Sequence, residues 1–263
     1  MARFAAQLNT VRAYCGTQQE LLTTLTRIRE MGYDGVELES NLIKNMDRQA
    51  VAHHLQTIGL KVCSIRSTFA RTEYGMEDML EEAKIFDCSN IVIGTLKATY
   101  FMSGPAGVAK YLQQAQKVCD RFAQEGLRPV YSLRFHEFMR QSDGIWIYEK
   151  VRTSKETANY LWETDLLCLT RSGTEPAEIF AQLADRMPIC RLSDQKIREN
   201  DVYFFYAVRE ECPLGEGVFD LPSFVSAAKQ AGAQWFTQGQ DLCDRDPFVC
   251  LEKSLHTARE LNT

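Results

Sequence analysis

Apolar and polar positions along the chain fall into a repeating unit. A stretch with helical spacing is followed by a glycine or short polar break, then by a short β-favouring run that stops at charged residues. The unit recurs as EMGYDGVELES, TIGLKVCSIRS, FDCSNIVIGT, EGLRPVYSLRF, ADRMPICRLSD and QAGAQWFTQGQD. Strand-like runs alternating with helical patterns predict βα units, and hence a parallel sheet or barrel. Strands are expected from Phe4 to Leu8, Val36 to Leu38, Leu60 to Ile65, Asn90 to Gly94, Pro129 to Leu133, Tyr160 to Thr164, Pro188 to Leu192 and Gln234 to Thr237. Helices are expected from Gln18 to Met31, Asp47 to Thr57, Met76 to Phe86 and Pro105 to Gln124. In the first of these Leu21, Leu22, Leu25 and Ile28 form the stripe that packs a helix on a sheet. Eight such strands predict an α/β fold, a closed (β/α)8 TIM barrel, whose chemistry sits where the strands end.

A length of 263 residues suits one barrel domain over 1–263, and no linker rich in Pro, Gly or Ser divides it. The longest connection, at about 194–220, holds the aromatics Tyr203, Phe204, Phe205 and Tyr206 and the turn-rich PLGEGVFD. A lid, an edge ribbon and packing in a homodimer contact are all open to it. Apolar residues at 45% and charged residues at 25% are ordinary for a folded globular chain. A net charge of −5 with no Lys/Arg cluster gives no electrostatic footprint for nucleic acid, so a small-molecule partner is expected. The nine cysteines show neither CxxC nor zinc spacing. Cys63, Cys168 and Cys190 fall in or beside apolar runs and read as small buried hydrophobes, in keeping with a reducing cytoplasm. MARFAAQLNTV is too polar for a signal segment, and no apolar run reaches the roughly 18 residues of a membrane span. GxGxxG, P-loop, GxSxG and HExxH motifs are absent, which removes the basis for nucleotide, serine-hydrolase and zinc-protease readings.

QLNTVR, MGYDGVELES, LEEAKIFDCSNIVIG, ETDLLCLTRSGTEP, DRMPICRLSD, PLGEGVFD and AGAQWFTQGQD follow one another over nearly the whole chain. Together they resemble the sugar phosphate isomerase/epimerase group of xylose isomerase-like barrels. The resemblance implies a TIM-type barrel and epimerisation, isomerisation or dehydration of a sugar, keto-sugar or cyclitol, assisted by Mn, Mg, Zn or Co. It also implies four metal ligands, and here the sequence departs. Strand five ends in Ser132, Leu133 and Arg134 where the family has His or Glu, while strand six keeps its acid as Asp165. Arg191 stands at the strand-seven His position and Ser193 at the Lys position, with Asp194 retained. Gly239 stands where strand eight would carry an acid, followed by Gln240 and Asp241, and Arg66 ends strand three where the family often has His. A hard divalent cation needs several converging ligands, so Asp165 alone cannot hold one and no cofactor is expected. Of the four histidines, His53, His54 and His256 fall on helices, and only His136 lies near the mouth.

A guanidinium is permanently charged and presents fixed donors, so Arg191 or Arg134 is expected to pair with Asp165 in place of a metal. Side chains two apart on a strand share a face, which groups Glu163 with Asp165, Ser132 with Arg134, and Arg191 with Ser193. Two functions are left open. One is a binding protein, catalytically inactive, that holds a sugar-like or anionic ligand through Arg66, Arg134, Arg191, Asp194 and Gln240. The other is a metal-independent isomerase, epimerase or lyase using Glu137, Glu163 or Asp165 for acid/base chemistry, with Glu37 ending strand two as a further carboxylate. A weaker third reading is a structural subunit that contacts another chain around Phe204. The charged strand ends can also be read as a buried ion-pair network that only fills the barrel.

Overall fold

Strands buried on both faces read as near-continuous apolar runs, and this is why the repeating unit is visible along the chain. The computed structural model describes residues 2–199 and 207–261. Its barrel strands are β1 (Arg3–Gln7), β2 (Gly35–Glu39), β3 (Lys61–Arg66), β4 (Asn90–Val92), β5 (Arg128–Ser132), β6 (Leu161–Asp165), β7 (Ile189–Leu192) and β10 (Trp235–Gln238). All neighbours pair in parallel, and β10 closes the barrel against β1. The remaining two strands, β8 (Asp194–Arg198) and β9 (Val208–Cys212), pair antiparallel as a ribbon directly after β7. The aromatics Tyr203 to Tyr206, and the chain contact expected around Phe204, lie outside the described residues.

The expected strands match the barrel strands to within one or two residues at their ends. Helix Gln18–Glu30 begins at a capping box, in which Thr17 accepts from the Glu20 N–H and the Glu20 carboxylate accepts from the Thr17 N–H. It buries Leu21, Leu25 and Ile28 against the sheet. Helices Leu166–Arg171 and Pro176–Gln182 follow β6 and carry too few residues to show a periodic stripe.

Two apolar layers result. A large one lies between the strands and the outer helices, and a small one, Ala5, Cys63, Ile189 and Trp235, plugs the barrel interior near the strand starts. Gly35 belongs to that plug, since a Cβ there would come within 2.8 Å of the Lys61 carbonyl and 2.9 Å of the Trp235 ring. All nine cysteines are free thiols, and burial pushes Cys168 and Cys190 up to about 12. Among the described residues no helix is long and apolar enough to cross a membrane.

Candidate functional site

Above the apolar plug the barrel interior turns polar. Where β2 and β3 pair, the register shifts so that Glu37 comes level with Ser64, skipping Cys63. The Glu37 carboxylate accepts from Ser64 Oγ at 2.7 Å and from Gln7 Nε2 at 2.8 Å. Arg66, at the end of β3, reaches across the axis. Its Nε donates to Glu37 at 2.9 Å, and its Nη2 donates to both oxygens of Glu163 at 2.6 and 2.5 Å. Its Nη1 lies 3.3 Å from Ser132 Oγ, which itself donates to Glu163 at 2.7 Å. Glu39 stands 3.5 Å from Arg66 Nε and retains 18% side-chain exposure.

The second half of the mouth is built on β6 and β7, where Asp165 and Arg191 are register partners. Asp165 Oδ2 lies 3.4 Å from both Arg134 Nη1 and Arg191 Nη1. Its Oδ1 accepts from Ser193 Oγ at 2.8 Å and from the Leu167 N–H at 2.9 Å, so it also caps the short helix after β6. Arg191 Nη2 donates to the Gly239 carbonyl at 3.2 Å and lies 3.6 Å from Asp241. Among the described residues, Arg191 Nε and the Oγ1 of its register partner Thr237 are buried without hydrogen-bond partners. At Gly239 a Cβ would fall 2.5 Å from Thr10 Oγ1 and 2.7 Å from Gln7 Oε1. The position that resembles a strand-eight acid therefore has no room for one as the barrel stands.

Two residues expected in the site, Glu137 and Asp194, are drawn elsewhere. Glu137 is fully buried and accepts from Tyr131 OH at 2.7 Å, from Thr95 Oγ1 and from the Arg134 N–H at 3.0 Å. Tyr131 alternates with the inward Ser132 and stacks on Tyr160, so Glu137 lies on the helix side of the sheet, away from Glu163 and Asp165. Asp194 accepts four backbone N–H groups, those of Gln195, Gly215, Gly217 and Phe219. It fixes the PLGEG turn, and a Cβ at Gly217 would sit 2.0 Å from its Oδ1. Gln240 is buried with Nε2 unpartnered, while its N–H donates to Thr10. His136 is bonded to Thr95 at 3.0 Å. Glu39 is the residue that the sequence reading missed.

Opposed effects set the charges. Burial by itself would raise Asp165, but Arg191 and Arg134 more than offset it and hold the carboxyl below its ordinary value. Glu163 is likewise depressed, burial being outweighed by Arg66 and Arg134. Burial dominates at Glu37, which is raised despite Arg66. It also takes Glu39 up to about 7, again against Arg66. The site thus sets two committed carboxylates beside one that titrates near neutrality.

No protein-family model matches the chain, and no curated protein matches it in sequence. Its fold is that of the xylose isomerase-like TIM barrels. It is similar to a sugar phosphate isomerase/epimerase from Parabacteroides distasonis, with a TM-score of 0.77 at 13% identity over 98% of each chain. It is also similar to a xylose isomerase-like TIM barrel protein from Mycobacterium smegmatis, solved in complex with magnesium, with a TM-score of 0.71 at 14% identity over 99% of this chain and 97% of that one. A third similar structure is the 3-keto-D-glucoside 4-epimerase of E. coli, with a TM-score of 0.70 at 15% identity over 99% of this chain and all of the other.

Proposed function

We propose that this chain is a sugar isomerase-like barrel that binds a small polyhydroxylated ligand at the C-terminal mouth of its strands, through arginine–carboxylate pairs, whereas one structural neighbour was solved in complex with magnesium. The observation that carries this reading is Asp165 held between Arg134 and Arg191. One carboxylate facing two guanidiniums does not fit a hard divalent cation. Among the described residues no group of three or more His, Cys, Asp or Glu is placed to hold a metal ion.

The pairing of Arg66 favours a neutral ligand over an anion at this end. Three carboxylates, those of Glu37, Glu39 and Glu163, already surround its charge. A polyol, whose hydroxyls both donate and accept, suits interleaved acids and arginines and would satisfy the unpartnered Arg191 Nε and Thr237 Oγ1. Thermal-shift measurements in EDTA test this. Neutral sugars or cyclitols should raise the melting temperature. Stabilisation only by sugar phosphates, or only after Mn²⁺ is added, would refute it.

Glu39 favours a second, catalytic reading. A carboxyl poised near neutrality and partly open to the mouth suits general acid/base work, and Arg66 beside it could stabilise an enolate oxygen. Incorporation of solvent deuterium into a sugar, lost in Glu39→Gln, would establish it. Absence of exchange across neutral sugars would leave the binding reading alone.

A further inference from the structure

The opposite end of the barrel carries a concavity of about 430 Å³ beneath the apolar plug. Three cations line it, Arg3, Lys61 and Arg128, which are the first residues of β1, β3 and β5. Among the described residues none of the three makes an ion pair. Arg3 lies over the Trp235 ring at 4.1 Å, Arg128 donates to Ser89 Oγ at 3.2 Å, and Lys61 is exposed. Among the described residues, Asp87 is the only carboxylate in the lining. In a chain with a net charge of −5, three cations around one hollow leave a local excess of positive charge.

A second observation points the same way. Asn90, 6% exposed, also lines the hollow. Its Nδ2 is committed to the Cys63 carbonyl at 2.9 Å, which fixes the amide orientation and leaves Oδ1 buried with no donor among the described residues. A buried acceptor without a partner is costly, and a ligand hydroxyl would supply what it lacks.

We propose that this hollow is a binding site for a small phosphorylated polyol. The phosphate dianion is held by Arg3, Lys61 and Arg128, and a ligand hydroxyl donates to Asn90 Oδ1. Two charges match the excess of three cations over one acid, and a hydroxyl beside the phosphate separates this ligand from inorganic phosphate. The site is independent of the mouth and of the function proposed there.

Isothermal titration of the full chain with glycerol 3-phosphate, inorganic phosphate and glycerol tests the assignment. Glycerol 3-phosphate should bind saturably, phosphate more weakly, and glycerol not at all. Lys61→Glu/Arg128→Glu changes two exposed side chains and should reduce affinity by on the order of a hundredfold, from two lost charge-assisted hydrogen bonds. Asn90→Leu should abolish the preference for glycerol 3-phosphate over phosphate. Should Asn90→Leu fail to fold, the double charge reversal decides alone. The proposal is overturned if neither anion binds or if the charge reversal leaves affinity intact.

Discussion

Arg191 and Asp165 face one another across adjacent strands, register partners with guanidinium and carboxylate 3.4 Å apart in the barrel interior. The pair is buried from both sides, and a second arginine, Arg134, approaches the same oxygen. Desolvation makes such an arrangement a modest source of net stability while it is intact and an expensive one to break.

Arg191→Met should therefore destabilise the fold by about 3 kcal/mol, within the range for stripping one partner from a buried pair. Arg191→Met combined with Asp165→Asn should recover much of that loss. Urea denaturation of the three proteins measures both effects. A single variant as stable as the parent would show that the pair carries no structural weight.

Glu39 should leave a signature in the pH dependence of stability. Its folded pKa, about 7, lies above the roughly 4.3 of an unfolded glutamate. Between those values the folded chain holds a proton that the unfolded chain has released, so this group's contribution falls as pH rises through the window. Asp165 acts in the opposite sense, its contribution being present above the unfolded aspartate value and lost as pH falls through the depressed folded one. Stability of the parent minus that of Glu39→Gln, followed by urea denaturation from pH 4 to 8, isolates the first effect. A flat difference would sink it.

Asp194 and Gly217 give a contrast between structure and binding. Gly217→Ala should cost about 1–3 kcal/mol, because the new methyl collides with a buried carboxylate. Asp194→Ala should also destabilise, leaving four backbone N–H groups without their acceptor. Ligand affinity at saturating stability, checked by calorimetry at low temperature, should be little changed in either. A stable Asp194→Ala protein with lost binding would return this residue to the ligand site.

Metal titration addresses the mouth directly. After dialysis against EDTA, Mn²⁺ and Mg²⁺ should bind without a stoichiometric site and leave the melting temperature where it was. Saturable 1:1 binding that disappears in Asp165→Asn would show that the arginines yield to a cation.

Much of this was legible along the chain. Two-residue alternation placed Glu163 and Asp165 on one face, and the arginines at the ends of β3, β5 and β7 were recognisable as the groups around them. The Asp165 partners followed from charge and proximity of strand ends. Glu39 escaped because it lies one residue past Leu38, the last residue of the expected second strand, and such boundaries are blurred by a residue or two. Glu137 and Asp194 were misplaced for a related reason. Glu137 follows β5 in a short 3-10 turn, Phe135–Phe138, where alternation no longer tells inside from outside. Asp194 opens the β8 ribbon, and its partners come from a glycine turn some twenty residues on. The floor cations carry no such mark in the sequence, because they sit at strand starts, whereas the repeating unit gathers its charged residues at strand ends.

Gly239 bears on how this barrel could change over time. Thr10 and Gln7 occupy the space that any side chain there would enter, and Gln7 also holds Glu37. A side chain at Gly239 would require the Thr10 and Gln7 side chains to move aside, and moving Gln7 would withdraw its hydrogen bond from Glu37. A substitution at this one position would thus be felt on the far side of the mouth, through Gln7 and Glu37 to Arg66.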